Sequence, residues 1–275
     1  MEPITLESLA VWHHPTTEAR ARVLIIHGLS EHSARHLNTI QWLNQNQIEI
    51  VRFDLRGAGR SGGRRQWIES FQDYVDDTIK VFNWIQRELT SMPTFLLGHS
   101  LGGAIAIHFA VSYQALLKGL ILSAPAFQIG SGISPIKVKL GKALVNWVPN
   151  LRLPKSTASG GISRDLKVVE AYEKDPLSFH FNTLKQGDEI LKALPNLSML
   201  ANKISIPTLI AHGSADPIVK LEGSYELFRI CNAKQRELYI APQAKHELHN
   251  ELEDVRLDYF RRLTDWIHTH SKSRH

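Results

Sequence analysis

Between Arg22 and Ala124, short apolar runs alternate with longer stretches of helical spacing. Val23 to Ile26, Ile48 to Phe53, Thr94 to Leu97 and Leu117 to Leu122 are short and β-rich, as expected of strands covered on both faces. Phe71 to Leu89 instead places Val75, Ile79, Phe82, Ile85 and Leu89 on one helical stripe. Strands alternating with helices predict parallel strands joined by crossover helices, an α/β class with a mostly parallel, doubly wound sheet. The rhythm breaks at Pro125. From there to Ala201, glycine pairs and prolines punctuate segments that read as helical. It resumes with Ile206 to Ala211 and Glu237 to Ile240, and closes with a helix from about Val255 to His268. The expected division is a core of residues 1–124 and 202–275 carrying an inserted helical cap, 125–201.

Composition narrows the function classes without changing this outline. The chain has 275 residues, 43% hydrophobic and 21% charged, with no apolar run long enough for a membrane span, so a soluble globular protein is expected. Its net charge of +5 is spread along the chain apart from Arg64-Arg65 and Arg261-Arg262. No zinc-finger spacing or aromatic-basic signature accompanies it, so no nucleic acid partner is expected. Cys231 is the single cysteine, which excludes an intrachain disulfide and suits a reducing compartment. Met1 to Pro15 carry Glu2 and Glu7 and no apolar signal core, so the expected location is cytoplasmic. Oligomeric state is not readable from the chain.

The most informative motif is Gly98-His99-Ser100-Leu101-Gly102-Gly103. It follows the apolar run Thr94 to Leu97 and opens a small-residue helix from Ala104, the strand–turn–helix setting of a nucleophile elbow. A serine hydroxyl attacks a carbonyl only when exposed beside a base, and the tight turn requires small neighbours. In α/β-hydrolases the acid follows the serine and the histidine comes last, each in a loop after a later strand. Asp216, after the 206–211 strand, fits the acid; His246, after the last strand, fits the base. The backbone N–H of Leu101, next to the serine, and that of Leu29, after the 23–26 strand, are the expected oxyanion donors.

His32 and His36 share the i, i+4 spacing of metal ligands, but Ser33 stands where H-E-x-x-H needs its glutamate. No metal is expected. Gly57 and Gly59 could expose backbone N–H groups to a phosphate, yet the P-loop lysine is missing, and a tight structural turn is the better reading.

His27 to His36, Asp54 to Ser61, the elbow and His246 to Glu251 together resemble the monoacylglycerol lipase and lysophospholipase branch of the α/β-hydrolases. The resemblance extends over nearly the whole chain, including Ser163 to Leu177 of the cap. It implies a serine hydrolase of fatty-acid glycerol esters with no cofactor, a helical cap over the site, and a lipid ester as substrate. It further implies a glycerol head-group site at Glu31, Arg35, Tyr172 and His249. Glu31 and Arg35 are spaced i, i+4 and could equally form a structural ion pair, and His249 could simply bond locally. Ser30 and Ala58 depart from the branch, which usually has glycine and often histidine at these positions.

In the cap, Ser134-Pro135 starts a helix with a stripe of Ile136, Leu140, Leu144, Trp147 and Val148 beside Lys137, Lys139 and Lys142. That pattern suits either transient contact with a membrane surface or packing on the protein's own core. The leading reading is thus cleavage of monoacylglycerols through an acyl-enzyme on Ser100. A lysophospholipase or broad esterase is the alternative, and a non-catalytic ligand-binding homologue is the alternative of another class.

Overall fold

The computed structural model describes residues 1–128, 135–154 and 159–272. Among them are ten strands. Eight are β1 (Ile4–Leu6), β2 (Leu9–His14), β3 (Ala21–Ile26), β4 (Ile48–Phe53), β5 (Thr94–His99), β6 (Gly119–Ser123), β9 (Thr208–Gly213) and β10 (Arg236–Ala241). They form one sheet in the order β1-β2-β4-β3-β5-β6-β9-β10. Every pair from β4 to β10 is parallel. The N-terminal hairpin β1–β2, unforeseen in the apolar pattern, adds antiparallel strands at one edge. A short antiparallel pair, β7 (Arg152–Pro154) and β8 (Phe181–Thr183), lies in the inserted segment.

Helices α1 (Leu37–Gln45), α2 (Gln72–Glu88), α3 (Leu101–Tyr113), α8 (Leu221–Ile230) and α9 (Glu253–Ser271) flank the sheet. They divide its apolar residues between two cores. One joins Leu24, Leu96 and Leu122 to α2 and α3, and the other joins Ile25, Phe95 and Ile121 to α1 and α9. This two-sided burial is why the central strands carry apolar side chains at successive positions instead of alternating.

The inserted segment contributes α4 (Pro135–Leu144), α5 (Leu166–Lys174), α6 (Leu184–Ala193) and α7 (Leu197–Ala201). Ile190, Ala193, Leu197 and Ala201 pack into the α2–α3 core, so its last part shares the apolar interior of the main body. Of the stripe expected on α4, Leu140, Leu144, Trp147 and Val148 face solvent, and Val145 is the buried residue there. Gly130 to Gly132, Ser134, and the side chains of Ile136 and Lys137 lie outside the described residues. No helix among the described residues is long and apolar enough to cross a membrane.

Chain order places the site. After β3 the chain makes β4 on one side, then crosses to the other side for β5. Ligands bind at the carboxyl ends of strands around such a reversal. The segments that follow β3, β5, β9 and β10 carry Leu29, Ser100, Asp216 and His246.

Candidate active site

Ser100 sits between β5 and α3 with φ 54° and ψ −117°, a conformation that non-glycine residues rarely adopt. The surroundings enforce it. Its N–H donates to Ser123 O at 3.0 Å, and its carbonyl accepts from Gly103 N at 2.9 Å and Ala126 N at 2.9 Å. A Cβ on Gly98 would lie 2.3 Å from Gly102 O, and one on Gly102 would lie 2.2 Å from Ile26 O, so only glycine fits either side of the turn. Because Leu101 opens α3, its N–H has no carbonyl one turn earlier to bond. The turn after β3 reaches the same place: a Cβ on Gly28 would lie 3.1 Å from Ser100 Cβ.

Asp216 and His246 meet across the carboxyl edge of the sheet. His246 Nδ1 donates to Asp216 Oδ2 at 2.7 Å, which leaves Nε2 as the basic nitrogen when the ring is neutral. The other oxygen, Oδ1, accepts the N–H groups of Ile218 at 2.7 Å and Val219 at 3.1 Å, so the carboxylate is fixed in orientation. Burial alone would raise the Asp216 carboxyl, but the His246 and His212 rings outweigh it and hold its pKa far below the usual range. For His246 burial favours the neutral ring, and Asp216 overrides it, raising the pKa above that of an ordinary histidine.

His212 was not among the expected residues. Fully buried at the end of β9, it places Nε2 3.1 Å from Asp216 Oδ2 and Nδ1 2.7 Å from Ser224 Oγ. Its i, i+4 spacing from Asp216 was the available signal.

A buried polar cluster lies beside the serine. Glu31 Oε1 accepts the Gly28 N–H, while Glu31 Oε2 is 3.4 Å from Arg35 Nε. Arg35 Nη2 bonds Glu247 Oε2 at 2.5 Å, so its stronger partner is the residue after His246 rather than the one a turn earlier. The Arg35 guanidinium also lies over the Tyr172 ring, 4.8 Å from its centroid. Burial opposes charge on Arg35, but Glu247 and Glu31 outweigh it and raise its pKa.

His249 stacks on His36 with centroids 4.2 Å apart, and both rings pack edge-on against His99, which is itself 4.8 Å from the His246 ring. Burial, followed by the neighbouring rings, pushes His99 and His249 well below an ordinary histidine, so both are neutral near pH 7. Among the described residues, His249 Nε2 is buried with no hydrogen-bond partner, while Glu31 Oε2 and Arg35 Nε face each other at 3.4 Å and His36 Nε2 lies 3.7 Å from Glu31 Oε1. His32 and His36 part company: His32 Nε2 bonds Asp175 Oδ2 at 2.6 Å, while His36 faces His249. Gly57 and Gly59 form the tight turn expected, with φ of 69° and 46°.

Residues 17–253 match the hydrolase family described as serine aminopeptidase, S33. The chain belongs to that family. Within the S33 family it falls in the monoacylglycerol lipase branch of the α/β-hydrolases. It is 31% identical to a monoacylglycerol lipase of Mycolicibacterium smegmatis, over 94% of this chain and 92% of that protein. To human monoglyceride lipase it is 31% identical, over 92% of this chain and 84% of the relative. The crystal structure of Paleococcus ferrophilus monoacylglycerol lipase superimposes with a TM-score of 0.87 at 28% identity, covering 96% of this chain and 99% of the other.

Proposed function

We propose that this protein is a serine carboxylester hydrolase that cleaves monoacylglycerols to fatty acid and glycerol. Ser100 Oγ attacks the ester carbonyl while His246 takes its proton, and Asp216 stabilises the imidazolium that results. The N–H groups of Leu29 and Leu101 receive the developing oxyanion. His246 then returns the proton to the departing glycerol oxygen, leaving an acyl group on Ser100, and water removes that group by the same sequence of proton transfers. Every step uses groups of the chain and substrate, with no cofactor or metal.

The observation that carries the choice of substrate is the buried polar cluster next to the oxyanion turn. Buried donors and acceptors without partners are costly, by roughly 1–3 kcal/mol each, and native proteins rarely leave several together. His249 Nε2 is such an atom, and beside it Glu31 Oε2 and Arg35 Nε meet only at 3.4 Å, with Tyr172 packed against Arg35. Glycerol, whose two remaining hydroxyls both donate and accept, suits that surface. Glycerophosphocholine, the leaving group of a choline lysophospholipid, keeps only one hydroxyl and brings a bulky phosphodiester toward the Glu31 and Glu247 carboxylates.

In this reading residues 125–201 form a cap over the acyl chain. The exposed Leu140, Leu144, Trp147 and Val148, with Lys139 and Lys142 also exposed, favour transient contact of that cap with a lipid surface. A buried, free Cys231 suits a cytoplasmic protein peripheral to the membrane. The deciding experiment compares turnover of monooleoylglycerol and lysophosphatidylcholine by purified protein, with Ser100→Ala as control. Preference for the glycerol ester, abolished by the substitution, is expected. Equal or faster turnover of the choline lipid would favour a lysophospholipase.

A further inference from the structure

Ser30 holds a backbone conformation suited to glycine, with φ of 63°, although it carries a side chain. It is almost fully buried, and its contacts account for what the side chain does there. Ser30 Oγ donates to Asn182 Oδ1 at 2.7 Å and lies 3.2 Å from the Gln66 side-chain oxygen. Its carbonyl accepts the N–H of Phe179 at 3.0 Å. Both Phe179 and Asn182 belong to the inserted segment between α5 and α6. The neighbouring Thr183 hydroxyl donates to Gln66 O at 2.5 Å, closing the ring of contacts around Ser30.

Leu29, the residue before Ser30, carries one of the two oxyanion donors. The chain on its other side is pinned as well, because the Gly28 N–H is held by Glu31 Oε1. Leu29 thus stands between two anchors, one within the turn and one on the cap. We propose that Ser30 is a positioning residue: its hydrogen bond to Asn182 fixes the orientation of the Leu29 N–H and ties the oxyanion hole to the seat of the cap. This role rests on the oxyanion assignment of Leu29, and it belongs to a hydroxyl that touches neither substrate nor reacting atoms.

The sign of the effect separates this role from a structural one. Glycine at position 30 relieves the backbone strain but gives up the Asn182 bond, so a purely structural serine would change the melting temperature of Ser30→Gly and leave its kcat as it was. A positioning serine would lower kcat whichever way the melting temperature moves.

The test uses the full chain with p-nitrophenyl butyrate, comparing Ser30→Gly, Ser30→Ala, Asn182→Ala and the Ser30→Ala/Asn182→Ala double variant. Expected is a fall in kcat of about tenfold, smaller than the roughly 10²-fold or more for deleting an oxyanion donor. KM should stay within about twofold, and affinity for a trifluoromethyl ketone, which forms a tetrahedral adduct, should fall in step with kcat. The double variant should lose no more than either alanine variant alone, since both remove one bond. If Ser30→Ala destabilises the turn, Asn182→Ala removes the same bond from the cap side. Unchanged kcat in Ser30→Gly and Asn182→Ala, or losses that multiply in the double variant, would overturn the proposal. Hydrolysis that survives Ser100→Ala would instead overturn the nucleophile reading itself.

Discussion

Glu251 is completely buried, and its Oε2 lies 3.0 Å from Nε of Arg164. The same carboxylate accepts the backbone N–H groups of Arg164 at 3.2 Å, Lys245 at 2.8 Å and Leu252 at 3.0 Å. Arg164 lies between β6 and β9 and Lys245 immediately precedes His246, so one side chain joins that segment to the His246 loop. Glu251→Ala would take the acceptor from three part-buried backbone N–H groups and from the Arg164 guanidinium, at about 1–3 kcal/mol for each that water does not reach. A loss of about 3 kcal/mol or more in urea unfolding is therefore expected, together with lower kcat as the His246 loop loosens. Arg164→Ala should cost about 1 kcal/mol, because its side chain is partly exposed and screened. An unchanged urea midpoint for Glu251→Ala would show that the carboxylate does not hold this junction.

The Asp216–His246 bond sets a direction for pH dependence. In the proposed mechanism His246 must be neutral to accept the Ser100 proton, and Asp216 raises its pKa above the ordinary 6.5. Activity should accordingly rise with pH, with the midpoint of kcat/KM in the free enzyme above 6.5. Asp216→Asn removes the charge that favours the imidazolium, so the midpoint should move to lower pH while the plateau falls. Where the tautomer is lost in a serine-protease triad the fall is about 10⁴-fold. A pH–rate profile of both proteins on a soluble ester checks the two effects, and an upward shift of the midpoint in Asp216→Asn would contradict the assignment.

Chain order made the meeting of Asp216 and His246 legible, because parallel strands deliver their following loops to one edge of the sheet. The same logic located Ser100 and the Gly28–Leu29 turn. Spacing along the chain was a poorer guide to partners. Arg35 sits a helical turn from Glu31, yet its shorter bond is to Glu247, more than two hundred positions away. Local periodicity cannot report such a contact, nor the stacking of His36 on His249. The hairpin β1–β2 escaped notice for another reason. β1 has three residues and is largely exposed, and β2, although it opens with the buried run Leu9-Ala10-Val11-Trp12, precedes the strand–helix alternation by which the central strands were found.

The proposed head-group site at Glu31, Arg35, Tyr172 and His249 predicts substrate-dependent losses. His249→Ala should lower kcat/KM for monooleoylglycerol by about three- to tenfold while changing that for p-nitrophenyl butyrate by less than about twofold. One hydrogen bond to a substrate hydroxyl is worth about 0.5–1.5 kcal/mol. Arg35 calls for a gentler change, since deleting it would strand the buried Glu247 and Glu31 carboxylates and destabilise the fold by about 3–5 kcal/mol. Arg35→Lys keeps the charge but loses the planar fork, and should show the same split between the two esters. Equal losses on both substrates would mean that these residues support the site's structure without reading the leaving group.

The exposed apolar residues of the proposed cap predict surface binding. Trp147 is 83% exposed and Leu140 58%, more than packing on the protein's own core would allow. Transferring such side chains from water to a lipid interface releases about 1.5–3 kcal/mol each when they are fully buried, and less at partial depth. Trp147→Ser should thus weaken co-sedimentation with vesicles containing phosphatidylglycerol by roughly tenfold, since about 1.4 kcal/mol is a factor of ten. Lys142→Glu should weaken binding to these anionic vesicles while sparing phosphatidylcholine vesicles, because it changes only the electrostatic part of the attraction. Turnover of p-nitrophenyl butyrate in solution should be unaffected by Trp147→Ser, as the ring lies on the outer face of the cap. Vesicle binding that persists undiminished in a Trp147→Ser/Leu140→Ser protein would show that this face meets something other than lipid.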